Sequence, residues 1–470
     1  MTTRAATRHA LRDEPVADLR PFGVVDELNC YFDAPAEPNN VHLEIWLPGH
    51  LDPGRLRVAV AAVLAAEPRA GVRRARGGWW RRGFAWELPP RAGKDPVTTG
   101  EDPARTGEDP VRTGEDPVTT ADWQTEADLN LARERFMAAA PPLDRSPPFR
   151  LLLARGPGRD SLILNAHHAA FDGRSCLRLL RLIAERYDAT GLPAAPAGEP
   201  WETRIPQSTR TGTPGRVRHP VRRNSRIAPR HADGHRTRRV PGYGFALLGW
   251  PDVPAVPAAG SGEPRVTVND LLIAALIEAV REWNSAAGRA PGRVLISMPV
   301  DAREPGQGDE IGNLSRLCTV TADADPSELD GSELGLAAAV AAQTGPAKRQ
   351  PGPPVGPVLT AAARVPLPTP VKRRAVRLAV RTLGRLRCDT SLLSNLGNVT
   401  EAPRFGSLAP ERMWFSTTAH MPRGLSAGAV TAGGRLQLCF RYRHALFDSD
   451  AAREFAALYA AALMALGETP

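Results

Sequence analysis

Several features that would place a chain in a large functional class are missing from this sequence. Its 470 residues hold only five cysteines, Cys30, Cys176, Cys318, Cys388 and Cys439. They are odd in number, far apart and never in a CxxC pair, so neither a disulfide scaffold nor a zinc site is implied. No run of about 18 apolar residues occurs, which removes any expectation of a membrane span. Met1–Arg20 is polar, carries charges of both signs and lacks the apolar centre of a secretory leader. A reducing, cytoplasmic setting is therefore expected. A phosphate loop, a dinucleotide fingerprint and an HExxH helix are absent as well, and with them the usual signatures of nucleotide-binding enzymes and zinc proteases.

Acidic residues are scarce in one stretch. Between Trp201 and Val240 eleven arginines face only Glu202 and Asp233, so this loop alone carries a charge equal to the +9 of the whole chain. It has no interleaved aromatics and no nucleic-acid motif, so it reads as a solvated linker and not as a nucleic-acid site. A second low-complexity stretch, residues 93–120, repeats a seven-residue unit: GKDPVTT, GEDPART, GEDPVRT, GEDPVTT. Each unit carries Gly and Pro with one aliphatic residue or none, cannot bury a face, and is expected to be a loosely ordered surface insertion.

What is present suits two domains of mixed α/β (α+β) character: an N-terminal unit at 1–188, a Pro/Arg-rich linker at 189–240 and a C-terminal unit at 241–470. Asn40–Leu47 alternates, with Val41, Leu43, Ile45 and Leu47 on one face and His42, Glu44 and Trp46 on the other, which predicts a half-buried strand. Asp52-Pro53 then opens a helix that stops before Pro68. The most informative segment is Asn165-Ala166-His167-His168-Ala169-Ala170-Phe171-Asp172-Gly173-Arg174-Ser175. An apolar run before it and a helical pattern after it predict strand, tight turn, helix. Side chains alternate along a strand, so His167 and His168 diverge and only one can face a given cavity. That divergence also argues against a metal held by His167, His168 and Asp172. Gly173 permits a backbone that a Cβ would crowd, and Asp172 or Ser175 can cap the helix. An imidazole at a strand end beside a turn carboxylate is well placed for base chemistry near neutral pH.

HHAAFDG resembles the HHxxxDG signature of the condensation-domain and acyltransferase superfamily. The blocks TVNDLLIAAL, MPVDAR, IGN and SNLG follow in the order found there, across residues 40 to about 460. Glu67 departs from the family, which usually has His before this proline. Arg435–Tyr442 followed by His444-Ala445-Leu446-Phe447-Asp448-Ser449 repeats the pattern of strand, HxxFD and helix, with Ser449 where the first copy has Gly173.

The resemblance implies two chloramphenicol-acetyltransferase-like lobes, each a mixed sheet with helices, in a V-shaped pseudo-dimer around a channel. It implies His168 as the channel-facing catalytic residue, either as base or as a positioning and stabilising group. His167 becomes a packing residue, Asp172 the partner of Arg303, and Gly173 the residue that keeps the channel floor open. Ser394 and Asn395 are placed along the channel. His444 belongs there too, as a structural relic of the repeat. No bound cofactor is implied. The donor is a thioester on a carrier protein acting in trans, or acyl-CoA, and the acceptor is a small-molecule amine or alcohol. The function implied is a free-standing condensation enzyme of natural-product assembly, with a CoA-dependent acyltransferase and an inactive accessory protein as the other readings. The cationic segment Val371–Arg387 suits an acidic carrier or CoA, or is simply a solvated helix face.

Overall fold

The computed structural model of the chain describes residues 18–77, 80–89, 116–189, 224–231, 242–256, 264–303, 310–323, 333–349, 360–361 and 365–468. The first half runs β1 (Asp18–Pro21), α1 (Val24–Phe32), β2 (Asn40–Leu47), α2 (Pro53–Ala66), β3 (Arg73–Arg74), β4 (Ala85–Leu88), β5 (Val118–Asp122), α3 (Glu126–Met137), β6 (Phe149–Gly156), β7 (Arg159–His167) and α4 (Gly173–Asp188). The second runs β8 (Tyr243–Trp250), α5 (Val268–Ala286), β9 (Val294–Asp301), β10 (Ser315–Ala322), α6 (Glu333–Arg349), α7 (Thr369–Arg387), β11 (Ser391–Val399), β12 (Arg412–Ser416), β13 (Leu425–Ala432), β14 (Arg435–Arg443) and α8 (Ser449–Glu468).

Two mixed sheets with helices form the two lobes of a condensation-domain fold. The five-stranded sheet has the order β12-β2-β7-β6-β5 and the six-stranded sheet the order β10-β9-β11-β13-β14-β8. A small sheet, β1-β4-β3, lies apart. The odd-numbered residues of β2 pack with α2 and α4 in one core, as their alternation predicts. Asp52 caps α2 by accepting from the Arg55 N–H at 2.7 Å. In the second lobe α5 and α8 cover the sheet in a separate core.

The lobes do not follow the chain boundary expected at 189–240. β12, from the C-terminal segment, pairs antiparallel with β2, with Ser416 opposite His42 and Arg412 opposite Trp46. To reach that edge, β12 presses on β13: a Cβ at Gly428 would lie 2.0 Å from the Phe415 carbonyl oxygen. Glycine is required there by close backbone approach. Nor is all of 189–240 a solvated linker. Residues 190–223 and 232–240 of it lie outside the described residues, but Ile227 and Ala228 are buried in the C-terminal core, and the Ala228 carbonyl accepts from Trp283 Nε1 at 2.8 Å.

Two further expectations need correction. β2 is buried on both faces, not one. Its polar face is a closed network in which Glu44 accepts from Arg133 Nη2 at 2.7 Å, Trp46 Nε1 at 2.8 Å and Ser161 Oγ at 2.8 Å, while His42 Nε2 lies 3.1 Å from its other oxygen. Burial alone would raise the Glu44 carboxyl, yet Arg133 and His42 hold it well below the usual carboxylate range. Arg133 comes from α3, so alternation in β2 could not reveal that its charge had a partner.

The repeat stretch is the second correction. Residues 93–115 lie outside the described residues, but the last unit does not behave as an insertion: β5 pairs parallel with β6, and Val118 is 2% exposed. A deletion ending at Glu115 is expected to change the melting temperature little, whereas one ending at Thr120 should lower it sharply. Val118→Asp should cost at least about 2 kcal/mol by burying an unpaired carboxyl. Equal thermal melts for the two deletions would contradict this reading.

α7 also differs from a solvated basic helix. Lys372 is buried, with Nζ 3.2 Å from Glu27 Oε1 of α1, and donates to the Arg82 carbonyl at 2.6 Å. Val376 packs with Leu28 and Tyr31. Part of the charge on this helix therefore fixes α1 in place.

Candidate active site

His167 ends β7, and its Nδ1 accepts the Ala169 N–H at 3.0 Å. The proton must then sit on Nε2, which points toward Asp33 Oδ2 at 3.8 Å. With 2% exposure, His167 packs inside the protein. His168 leaves the strand: its N–H donates to the Asn39 carbonyl at 2.9 Å, and its own carbonyl accepts from Asn313 Nδ2 at 2.8 Å. The ring Nδ1 lies 3.1 Å from the Phe171 carbonyl oxygen. A carbonyl only accepts, so Nδ1 carries the proton and Nε2 presents a lone pair. Burial lowers the pKa of His168, with Asp172 acting in the opposite sense. Neutral imidazole is the resting form.

The turn after His168 is held by charge. Asp172 caps α4 by accepting from the Ser175 N–H at 2.8 Å. It also accepts from Leu314 N at 3.0 Å. Arg303 grips it in fork geometry, Nη1 to Oδ2 at 3.0 Å and Nη2 to Oδ1 at 3.0 Å, with both side chains almost fully buried. Ser175 Oγ accepts from Arg303 Nη2 at 3.0 Å and from Gly312 N at 3.0 Å while donating to the Gly312 carbonyl at 2.7 Å, a full set for one hydroxyl. The structure thus brings together His168, Asp172, Gly173 and Arg303, from blocks 131 residues apart in the chain.

Gly173 requires a correction. A Cβ there would lie 2.7 Å from the Phe415 ring and 2.8 Å from Leu396 Cδ2. The missing side chain makes room for these two packed residues of β12 and β11, not for an open floor. Ser394 pairs with Gly428 inside the six-stranded sheet, and Asn395 accepts from the Gly397 N–H at 2.8 Å where β11 loses register. His444 follows β14, and its carbonyl accepts from His231 Nε2 at 2.9 Å. Among the described residues no hydrogen bond or ion pair joins Ser394, Asn395 or His444 to the His168 cluster.

The second HxxFD copy does repeat the first locally. Asp448 caps α8 by accepting from Ala451 N at 2.8 Å, and the Leu446 and Phe447 amides return to the Arg443 carbonyl as those of Ala170 and Phe171 return to His167.

Asn39, Asp33 and His420 gave no sequence signal. Asn39 supports His168 through its carbonyl, donates its N–H to Asp33 Oδ1 at 2.9 Å, and lies with Oδ1 3.3 Å from His420 Nε2. Burial and the neighbouring Arg423 and Arg441 push the His420 imidazole down to about 3.

No family model matches the chain. Solved structures share its fold. The first condensation domain of the calcium-dependent antibiotic synthetase has a TM-score of 0.59 at 14% identity, over 96% of this chain and 97% of that one. SgcC5 from Streptomyces globisporus has a TM-score of 0.57 at 15% identity, over 96% and 99%. The EpoB cyclization-docking bidomain from Sorangium cellulosum has a TM-score of 0.58 at 15% identity, over 96% and 85%. In sequence, the chain is 30% identical over 450 residues to an uncharacterized protein of Mycobacterium tuberculosis, covering 93% of this chain and 96% of that protein. The chain therefore belongs to the family of this mycobacterial protein, and its fold is that of the condensation domains.

Proposed function

We propose that the chain is a condensation-type acyltransferase that moves an acyl group from a thioester to an amine or alcohol. The observation that carries the reading is the His168 ring, whose Nδ1–H is committed to the Phe171 carbonyl while Nε2 keeps its lone pair. In the reaction the acceptor N–H or O–H gives its proton to Nε2 as the new acyl bond forms. The acyl–sulfur bond then breaks, and the departing thiolate takes that proton to leave as a thiol. The Asp172–Arg303 fork holds the turn that presents the ring. Two proteins sharing the fold support the donor and acceptor classes: the starter condensation domain of rhizomide synthetase, in a variant, was solved with C8-CoA, and SgcC5 with a naphthyl ethanediol. A thioester on a carrier protein in trans is the donor we favour, with free acyl-CoA as the alternative. Incubation with acyl-CoA and acyl-carrier donors and a panel of amines and alcohols, followed by mass spectrometry, tests this. A new acylated product that disappears in His168→Ala is expected. No product from any donor would overturn the reading in favour of an accessory role.

A further inference from the structure

The described residues expose twelve large hydrophobic side chains, and four of them, Val365, Leu367, Val371 and Leu378, crowd into residues 365–378, the approach to α7 and its first half. Scattered singly, such residues need no explanation; a cluster does. Trp80 joins it. This indole is the most exposed of the twelve, at 66%, and the carbonyl of the next residue, Arg81, accepts the Thr369 N–H of α7 at 2.8 Å. Along the helix Val371, Arg374 and Leu378 recur at spacings of three and four residues, so one exposed face carries two aliphatic side chains around a guanidinium.

The inner face of α7 explains its position but not this outer face. Lys372 and Val376 turn inward onto α1, which holds the helix with Val371 and Leu378 outward. Residues 365–388 contain seven basic residues and no acidic one. Arg373 and Arg374 are exposed on the helix, as is Arg82 beside Trp80. A helix adapted to water alone would place polar side chains where Val371 and Leu378 stand. A small anion would engage the guanidiniums and leave the aliphatic side chains in water. A bilayer with negative headgroups takes both: aliphatic side chains enter the acyl boundary, the indole sits at headgroup depth and the arginines meet phosphates.

We propose that Trp80 and the outer face of α7 form a docking surface for an anionic phospholipid membrane. Among the described residues no helix is long and apolar enough to cross a bilayer, so the contact is peripheral. The proposal does not depend on the thioester reading above.

Sedimentation of the full chain with vesicles of phosphatidylcholine alone, and of phosphatidylcholine mixed with phosphatidylglycerol, tests it. Binding to the mixed vesicles should be at least about tenfold tighter than to phosphatidylcholine and should weaken with added salt. Trp80→Ala, Val371→Ser and Leu378→Ser should each weaken it by about tenfold. Their melting temperatures should stay close to wild type, because these side chains are exposed in the free protein. Arg374→Glu should weaken binding as well. Leu131→Ser, exposed on α3, should bind as the wild type does. Protein that stays in the supernatant with mixed vesicles at low salt would overturn the proposal. So would binding that falls with Arg374→Glu yet is untouched by Trp80→Ala, Val371→Ser and Leu378→Ser, since a surface acting by charge alone suits a soluble acidic protein and not a bilayer.

Discussion

His168→Ala is expected to lower turnover by about 10²–10⁴ while leaving the far-ultraviolet spectrum and melting temperature close to wild type. The ring makes one hydrogen bond to the Phe171 carbonyl and packs only partly, so its loss removes chemistry and not core. His167→Ala should show the reverse, since that ring is buried and accepts the Ala169 amide; lower stability and less soluble protein are expected. His444→Ala should do neither strongly. The pH profile supplies a second check. Burial lowers the His168 pKa, so its neutral form persists below the ordinary imidazole value of about 6.5, and the acid limb of kcat should fall below that value. The same sign governs stability: a histidine held neutral in the fold takes up protons more readily when unfolded, so its contribution is present above about 6.5 and is lost on acidification. An active His168→Ala alongside a dead His444→Ala would move the catalytic centre to the second copy of the motif and overturn the assignment.

Arg303→Ala is expected to destabilise the protein by about 3–5 kcal/mol, because it leaves Asp172 as a buried carboxylate without its cation. The side chains are 3% and 5% exposed, so water cannot replace the lost partner. The cost should not be doubled in Asp172→Ala/Arg303→Ala, where neither charge remains stranded; a coupling energy of about 1–3 kcal/mol between the two sites is expected. Chemical denaturation of the two single variants and the double variant measures it. Activity should fall along with stability, since Asp172 also receives the Ser175 and Leu314 amides that hold the turn carrying His168. Single variants within about 1 kcal/mol of wild type, with additive effects, would show that the pair does not lock the lobes.

The sequence by itself determined the local elements around the site. Alternation in β2, the Asp52-Pro53 start of α2 and the strand, turn and helix through HHAAFDG all follow from periodicity and capping, which act over a few residues. The repeated HxxFD copy was equally legible because its capping aspartate and turn amides are local. Other features depended on contacts between distant segments, which no window of sequence contains. Whether Glu44 faced water or Arg133 was decided by α3 packing across the sheet. Whether the last GEDPVTT unit was solvated was decided by β6, whose free edge it completes. Gly173 was legible as a place where a Cβ does not fit, but what fills the space is Phe415 from a strand 242 residues onward that crosses into the first sheet at Gly428. His420, just past that strand, likewise met Asn39 only through the crossing, whereas Asn39 reached the motif through the pairing of β2 with β7. Backbone preferences are set within one turn or one pleat, whereas the partner of a buried charge and the occupant of a gap are set by how the sheets meet.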